Sequence, residues 1–243
     1  MGLYDVENFL TGRIEGFFKK HLTDEVTLGE LQKTIEREIA RQKKNDDGII
    51  LAPRVYNFLI NTDDYNRLPI ARLTESLTVT AQKETIRHNA FIEGELKVKI
   101  NCAVEMSTGF EFFAGDNDDD IDNTVDHTIV LKRDGFVKPM NLPLVHSIAS
   151  LSVVDGDDKD AYLEFGERKI YIGRREQNDF ILTDNSVSRL QASIEYRDYR
   201  HFLRDENSAN GTIVNDVKRD FVCLSDGDYI CMGNTMLVYE VVD

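Results

Sequence analysis

Across 243 residues the chain carries 44 Asp and Glu against 29 Lys and Arg, a formal net charge of -15 at pH 7. That length suits two ordinary domains, and that charge argues against nucleic acid or an anionic membrane as the main partner, because both are held by Lys and Arg neutralising fixed negative charge. No apolar run reaches the ~18 residues that span a bilayer, no signal peptide opens the chain, and Cys102, Cys223 and Cys231 lack metal-ligand spacing. The expectation is a cytoplasmic protein with reduced cysteines, no metal, no cofactor and no direct membrane insertion.

Val6, Phe9, Leu10, Ile14, Phe17, Phe18 and Leu22 fall on one helical stripe, which predicts a first amphipathic helix. A second helix is predicted from T-L-G-E: Thr27 caps, Glu30 reaches back, and Leu28, Leu31, Ile35 and Ile39 continue the stripe until K-K-N-D-D-G ends it. Val55 to Ile60 reads as a strand, and the stretch from Asp64 to Asn89 as a third helix with Pro69 near its start. A second strand follows, in which Leu96, Val98, Ile100, Cys102, Val104 and Met106 alternate with Lys97, Lys99, Asn101 and Glu105.

Residues 111–148 read as a solvated acidic linker. Asp116, Asp118 and Asp120 take the first three ligand positions of a calcium loop, yet Ile121 stands where that loop needs Gly and His127 where it needs a bidentate Glu. From about Leu151 the chain becomes short strands broken by turns, such as L-S-V-V, K-I-Y-I, A-S-I-E-Y and M-L-V-Y-E-V-V. That spacing predicts an all-β sandwich with its function in the loops. The expected fold class is α+β multidomain: a small α/β domain of helices on a short sheet over residues 1–110, the linker over 111–148, and the sandwich over 149–243.

Three loop features stand out. Gly173-Arg174 follows K-I-Y-I, Ser188-Arg189 precedes A-S-I-E-Y, and N-S-A-N-G-T at 207–212 precedes I-V-N. Singly they are turns and solvated arginines. As an ordered set, with N-D-F-I-L at 178–182, L-S-D-G-D-Y-I at 224–230 and the following M-G-N-T-M-L-V-Y, they resemble the forkhead-associated (FHA) domain over roughly 150–243. The resemblance implies an eleven-strand β-sandwich that binds phosphothreonine peptides through loops at one end. It implies that Arg174 holds the phosphate, Ser188 donates to it, Arg189 contacts phosphate or peptide backbone, and Asn210 clamps the peptide main chain. Gly173, Gln191, Gly211 and Thr212 would support these loops. A phosphothreonine brings about -1.5 to -2 charges and three acceptor oxygens, which suit Arg174, Arg189 and the neighbouring Arg175.

Gln191 departs from the family, which usually has His there to brace the binding loop from behind. Gln also donates and accepts hydrogen bonds, so the alternatives are a braced phosphothreonine reader and a phosphate-independent scaffold with a weakened pocket. Ala209 departs too, since a hydroxyl residue sometimes stands there.

Upstream, F-L-T-G-R-I-E-G-F-F, L-G-E-L-Q-K-T-I-E-R-E-I and L-A-P-R-V-Y-N-F-L-I-N-T-D-D-Y-N-R-L resemble the amino-terminal α/β domain of FhaA-type bacterial proteins over about residues 1–106. The resemblance implies a cytosolic adaptor beside membrane Ser/Thr kinases in envelope or division control, with a phosphorylated kinase or substrate as partner. An enzyme is not expected, because there is no nucleotide-binding Gly-rich loop, no H-E-x-x-H and no nucleophile–base pair. An RNA-binding reading of the amino-terminal part lacks a G-x-x-G loop. Thr124 and Thr128 in the linker are candidate phosphorylation sites. Thr128 has acidic residues upstream and Leu131 three places on, so it suits a tethered ligand for the chain's own pocket; the other reading of T-I-V-L-K is a short packed strand.

Overall fold

The computed structural model describes residues 19–21, 25–45, 47–116 and 146–243. The first helical stripe up to residue 18, most of the acidic linker, Thr124 and Thr128 lie outside the described residues. The first elements are β1 (Lys19–His21), α1 (Leu28–Ala40), β2 (Ile50–Leu51), β3 (Val55–Asn61), α2 (Thr62–Arg67), α3 (Ile70–Arg87), β4 (Ala90–Phe91), β5 (Lys97–Ala103) and β6 (Phe110–Gly115). Then come β7 (Ala149–Asp155), β8 (Tyr162–Phe165), β9 (Ile170–Gly173), β10 (Phe180–Ile181), β11 (Ala192–Arg197), β12 (Arg200–Asp205), β13 (Thr212–Val214), β14 (Val217–Arg219), β15 (Phe221–Cys223), β16 (Asp228–Met232) and β17 (Thr235–Val241).

The described residues fall into two compact units. One takes those within Met1–Arg41, Pro53–Thr78 and Gly94–Pro139, and the other those within Gln42–Ala52, Val79–Glu93 and Met140–Asp243.

The first unit holds a sheet of order β1-β6-β3-β5. Its strands β3 and β5 run parallel, while β6 is antiparallel to both β1 and β3. Lys19–His21 is strand where the helical stripe extends to Leu22: pairing with Phe110–Phe112 of β6 overrides local periodicity, as tertiary partners commonly do. Helix α1 starts at the predicted capping box. Thr27 Oγ1 accepts the Glu30 N–H at 3.4 Å, and Glu30 Oε2 accepts the Thr27 N–H at 3.1 Å, which satisfies two donors that a helix N-terminus otherwise leaves orphaned.

The stretch from Asp64 to Asn89 is two helices, not one. Leu68 adopts φ -86° and ψ 145°, the extended conformation to which the clash with a following proline ring pushes a residue. Helix α2 therefore stops at Arg67 and α3 begins at Ile70. Strand β5 keeps the predicted alternation through buried Val98 and Ile100, then ends at Ala103, leaving Val104 59% exposed.

In the second unit the chain forms a β-sandwich. A five-stranded sheet of order β10-β9-β11-β12-β15 and a six-stranded sheet of order β14-β13-β16-β17-β7-β8 share one apolar core, in which Ile172, Ile194 and Leu203 of the first meet Leu151, Ile230 and Leu237 of the second. Ile86 of α3 belongs to the same core. Arg200 of β12 is fully buried. It donates to Ala90 O at 2.8 Å, Asn89 Oδ1 at 2.7 Å and Leu224 O at 2.9 Å, and its guanidinium lies 4.7 Å from the Phe91 ring centre.

Candidate functional site

Three loops leave the strands at one place: the one after β9, the one before β11 and the one before β13. Gly173 closes β9 and determines how near the first two come. Its φ is +154°, and a Cβ there would lie 2.8 Å from Arg189 O and 2.9 Å from both Ser188 O and Gln191 N. Only glycine admits that approach. Past it, the Arg174 N–H donates to Ser188 O at 3.0 Å and the Arg175 N–H to Arg189 O at 3.1 Å. Asn178 ties the same seam, its Nδ2 donating to Arg175 O at 3.0 Å and Arg189 O at 2.9 Å.

The second and third loops are joined through Gln191, which is fully buried. Its Oε1 accepts the Ser188 N–H at 2.9 Å, and its Nε2 donates to Gly211 O and Thr212 Oγ1, each at 3.1 Å. Both ends of the amide are thus used, as a buried amide requires. Thr212 Oγ1 donates onward to Asp205 Oδ2 at 2.7 Å. Asp205 accepts from the Ser208 N–H at 2.8 Å and hydroxyl at 2.6 Å, and Ser208 Oγ accepts the Gly211 N–H at 2.9 Å. On the other flank the buried Asp184 carboxylate accepts the N–H groups of Ser186 at 2.8 Å and Asn234 at 2.6 Å. The Ser186 N–H is the largest influence holding that carboxyl below its ordinary pKa; burial acts against it.

What this frame presents is a cleft of about 540 Å³ whose lining includes Arg174, Arg175, Ser188, Arg189, Ala209 and Asn210. No Asp or Glu lines it, and among the described residues none of the three arginines forms an ion pair. Ser188 Oγ accepts the Ala209 N–H at 2.9 Å, which leaves the hydroxyl proton for an incoming acceptor. Asn210 donates one amide hydrogen to Ser186 O at 2.9 Å and keeps its Oδ1 for a peptide donor.

The structure thus brings Arg174, Ser188, Arg189 and Asn210 to one cleft, with Gly173, Gln191, Gly211 and Thr212 behind it. Sequence reasoning gave no role to Asn178, Asp184 or Asp205. The last two carry a local signal: an Asp two or three residues before a Ser, in D-N-S and D-E-N-S, caps a turn through its own side chain. Asn178 bonds a carbonyl eleven positions away, which no local pattern reveals.

The family model described as "FHA domain" matches residues 170–233, and that described as "FhaA, N-terminal domain" matches residues 3–112. The FHA domain-containing protein FhaA of Mycobacterium tuberculosis is 34% identical over 92 residues, 38% of this chain and 17% of that protein. The ABC transporter ATP-binding/permease protein Rv1747 of the same organism is 36% identical over 70 residues, 29% of this chain and 8% of that protein. A crystal structure of the FhaA FHA domain complexed with the intracellular domain of Rv3910 aligns with a TM-score of 0.35 at 32% identity, covering 38% of this chain and 99% of that one. The chain spans less than a fifth of the length of either of these two curated relatives.

Proposed function

The chain is an FhaA-type protein, an FhaA N-terminal domain followed by an FHA domain, and from that premise we propose that it is a non-catalytic adaptor that binds phosphothreonine peptides in bacterial Ser/Thr kinase signalling. The observation that carries this reading is the cleft itself: three arginines and a serine hydroxyl line one cleft that no carboxylate lines. A phosphothreonine supplies about -1.5 to -2 charges and three acceptor oxygens. Arg174 and Arg189 would meet it with charge-assisted bonds, Ser188 with its hydroxyl proton, and Asn210 would hold the peptide main chain alongside. The bonding of Gln191 to both loops favours this over a phosphate-independent scaffold, because the brace is occupied at both ends.

The partner class is a phosphorylated membrane Ser/Thr kinase or its substrate, which places the protein in the cytoplasm, recruited to the membrane by what it binds. Control of the cell envelope or division is the process that FhaA-type architecture suggests. Titration of the full chain with a phosphothreonine peptide library and its unphosphorylated counterpart tests the reading. Binding confined to phosphorylated peptides is expected, with a loss of tenfold or more in Arg174→Ala, since charge-assisted bonds are worth roughly 1.5 to 3 kcal/mol each. Equal binding of both libraries, or an Arg174→Ala variant with undiminished affinity, overturns it.

A further inference from the structure

The cleft holds more positive charge than one phosphothreonine neutralises. Arg174, Arg175 and Arg189 together carry three charges in a lining without Asp or Glu, and one phosphate brings at most about two. The surplus cation is not a loose surface arginine. The Arg175 N–H is bonded to Arg189 O at 3.1 Å, its own carbonyl accepts from Asn178 Nδ2 at 3.0 Å, and Asn178 holds Arg189 O through the same nitrogen. The backbone of residue 175 is therefore fixed to the cleft wall as firmly as that of residue 174, whose N–H is bonded to Ser188 O. Tying a backbone this way cuts the ordering cost of any contact its side chain makes.

The Arg174 N–H is tied to Ser188 O and the Arg175 N–H to Arg189 O, one residue further along the facing loop, so the two arginines start from successive points of the cleft wall instead of forming a single clamp. Building on the phosphothreonine reading, we infer that Arg175 is a specificity-determining residue that selects ligands with a second anion, an Asp, Glu or further phosphorylated residue within a few positions of the phosphothreonine. The exposed rim position of Arg175 makes this a modest electrostatic preference, weakened by salt.

The experiment uses the full chain and pairs of synthetic phosphothreonine peptides that differ only by Glu or Gln at each of the three positions on either side of the phosphothreonine. Wild-type protein is expected to bind the Glu member about two- to fivefold more tightly at one or two adjoining positions at 50 mM salt, with the ratio shrinking at 300 mM. In Arg175→Gln the ratio should fall to one, Arg175→Lys should restore part of it, and Arg175→Glu should turn the preference toward Gln. A ratio that survives Arg175→Gln, or a wild-type ratio of one at every position, overturns the inference while phosphopeptide binding itself persists. Failure of every phosphopeptide to bind overturns both this inference and the reading beneath it.

Discussion

Replacing Gln191 with Ala removes a buried side chain that bonds the loop before β11 to Gly211 and Thr212 at the start of β13. Three hydrogen bonds go with it, at 2.9, 3.1 and 3.1 Å. Each is worth about 1 kcal/mol net, and a donor left buried and unpaired costs roughly 1 to 3 kcal/mol. Together these come to about 4 to 6 kcal/mol, felt mainly as local opening. Binding must then re-order the freed loops at about 0.5 to 1.5 kcal/mol for each side chain immobilised, so two such side chains weaken phosphopeptide affinity roughly five- to hundredfold. Hydrogen exchange reads the brace directly, because the Ser188 amide proton bonds only to the Gln191 side chain among the described residues. Its protection should fall sharply in Gln191→Ala, in step with the affinity measured by calorimetry. In Gln191→His, which restores a donor and an acceptor, both should recover. Unchanged Ser188 protection together with wild-type affinity in Gln191→Ala would refute the brace.

Gly173→Ala should damage the site through the backbone alone, since the new methyl would lie 2.8 to 2.9 Å from three backbone atoms of the facing loop. A cost above about 2 kcal/mol is expected, read as a thermal midpoint lower by at least about 4 °C and as lost phosphopeptide binding; an unmoved midpoint contradicts it. Stability should also fall in acid because of His201, whose pKa burial lowers from 6.5 to about 4. The unfolded chain takes up the proton first, so this contribution is whole above pH 6.5, declines as pH falls toward 4 and is gone below, about 3 kcal/mol in all. Denaturant unfolding at pH 7.5, 5.5 and 4 checks the slope, and a His201→Gln variant that keeps the same pH dependence between 6.5 and 4 counts against it.

The two halves of the molecule were legible to different degrees, and for different reasons. Thr27 and Glu30 announce the start of α1 because a capping box is complete within four residues. The residues of the cleft were readable as an ordered set of loop signals whose spacing survives in sequence. Lys19–His21 was not readable, because its strand character comes from Phe110–Phe112, some ninety positions on. Pro69 splits the helix by a local effect, its clash with Leu68, which outweighs the helical periodicity on either side. Asn178 and the attachment of Ile86 to the sandwich core depend on partners that chain order hides.

The buried guanidinium of Arg200 bears on how the second unit is assembled in time. Its acceptors at Asn89 and Ala90 leave the ribosome about 110 residues before it does, and Leu224 O follows 24 residues later. A contact of that sequence separation forms late and slows folding, because loop closure comes before its reward. Until β12 is made, Phe91 and Ile86 have no sandwich to pack on, and a sandwich made without residues 86–91 leaves the Arg200 guanidinium without its Asn89 and Ala90 acceptors and the Phe91 ring. A fragment beginning after the linker would therefore keep Leu224 O as an acceptor for Arg200 but lose Asn89, Ala90 and Phe91, and the apolar socket that Ile86 fills would be exposed, a feature that invites capture by a chaperone or another nascent chain.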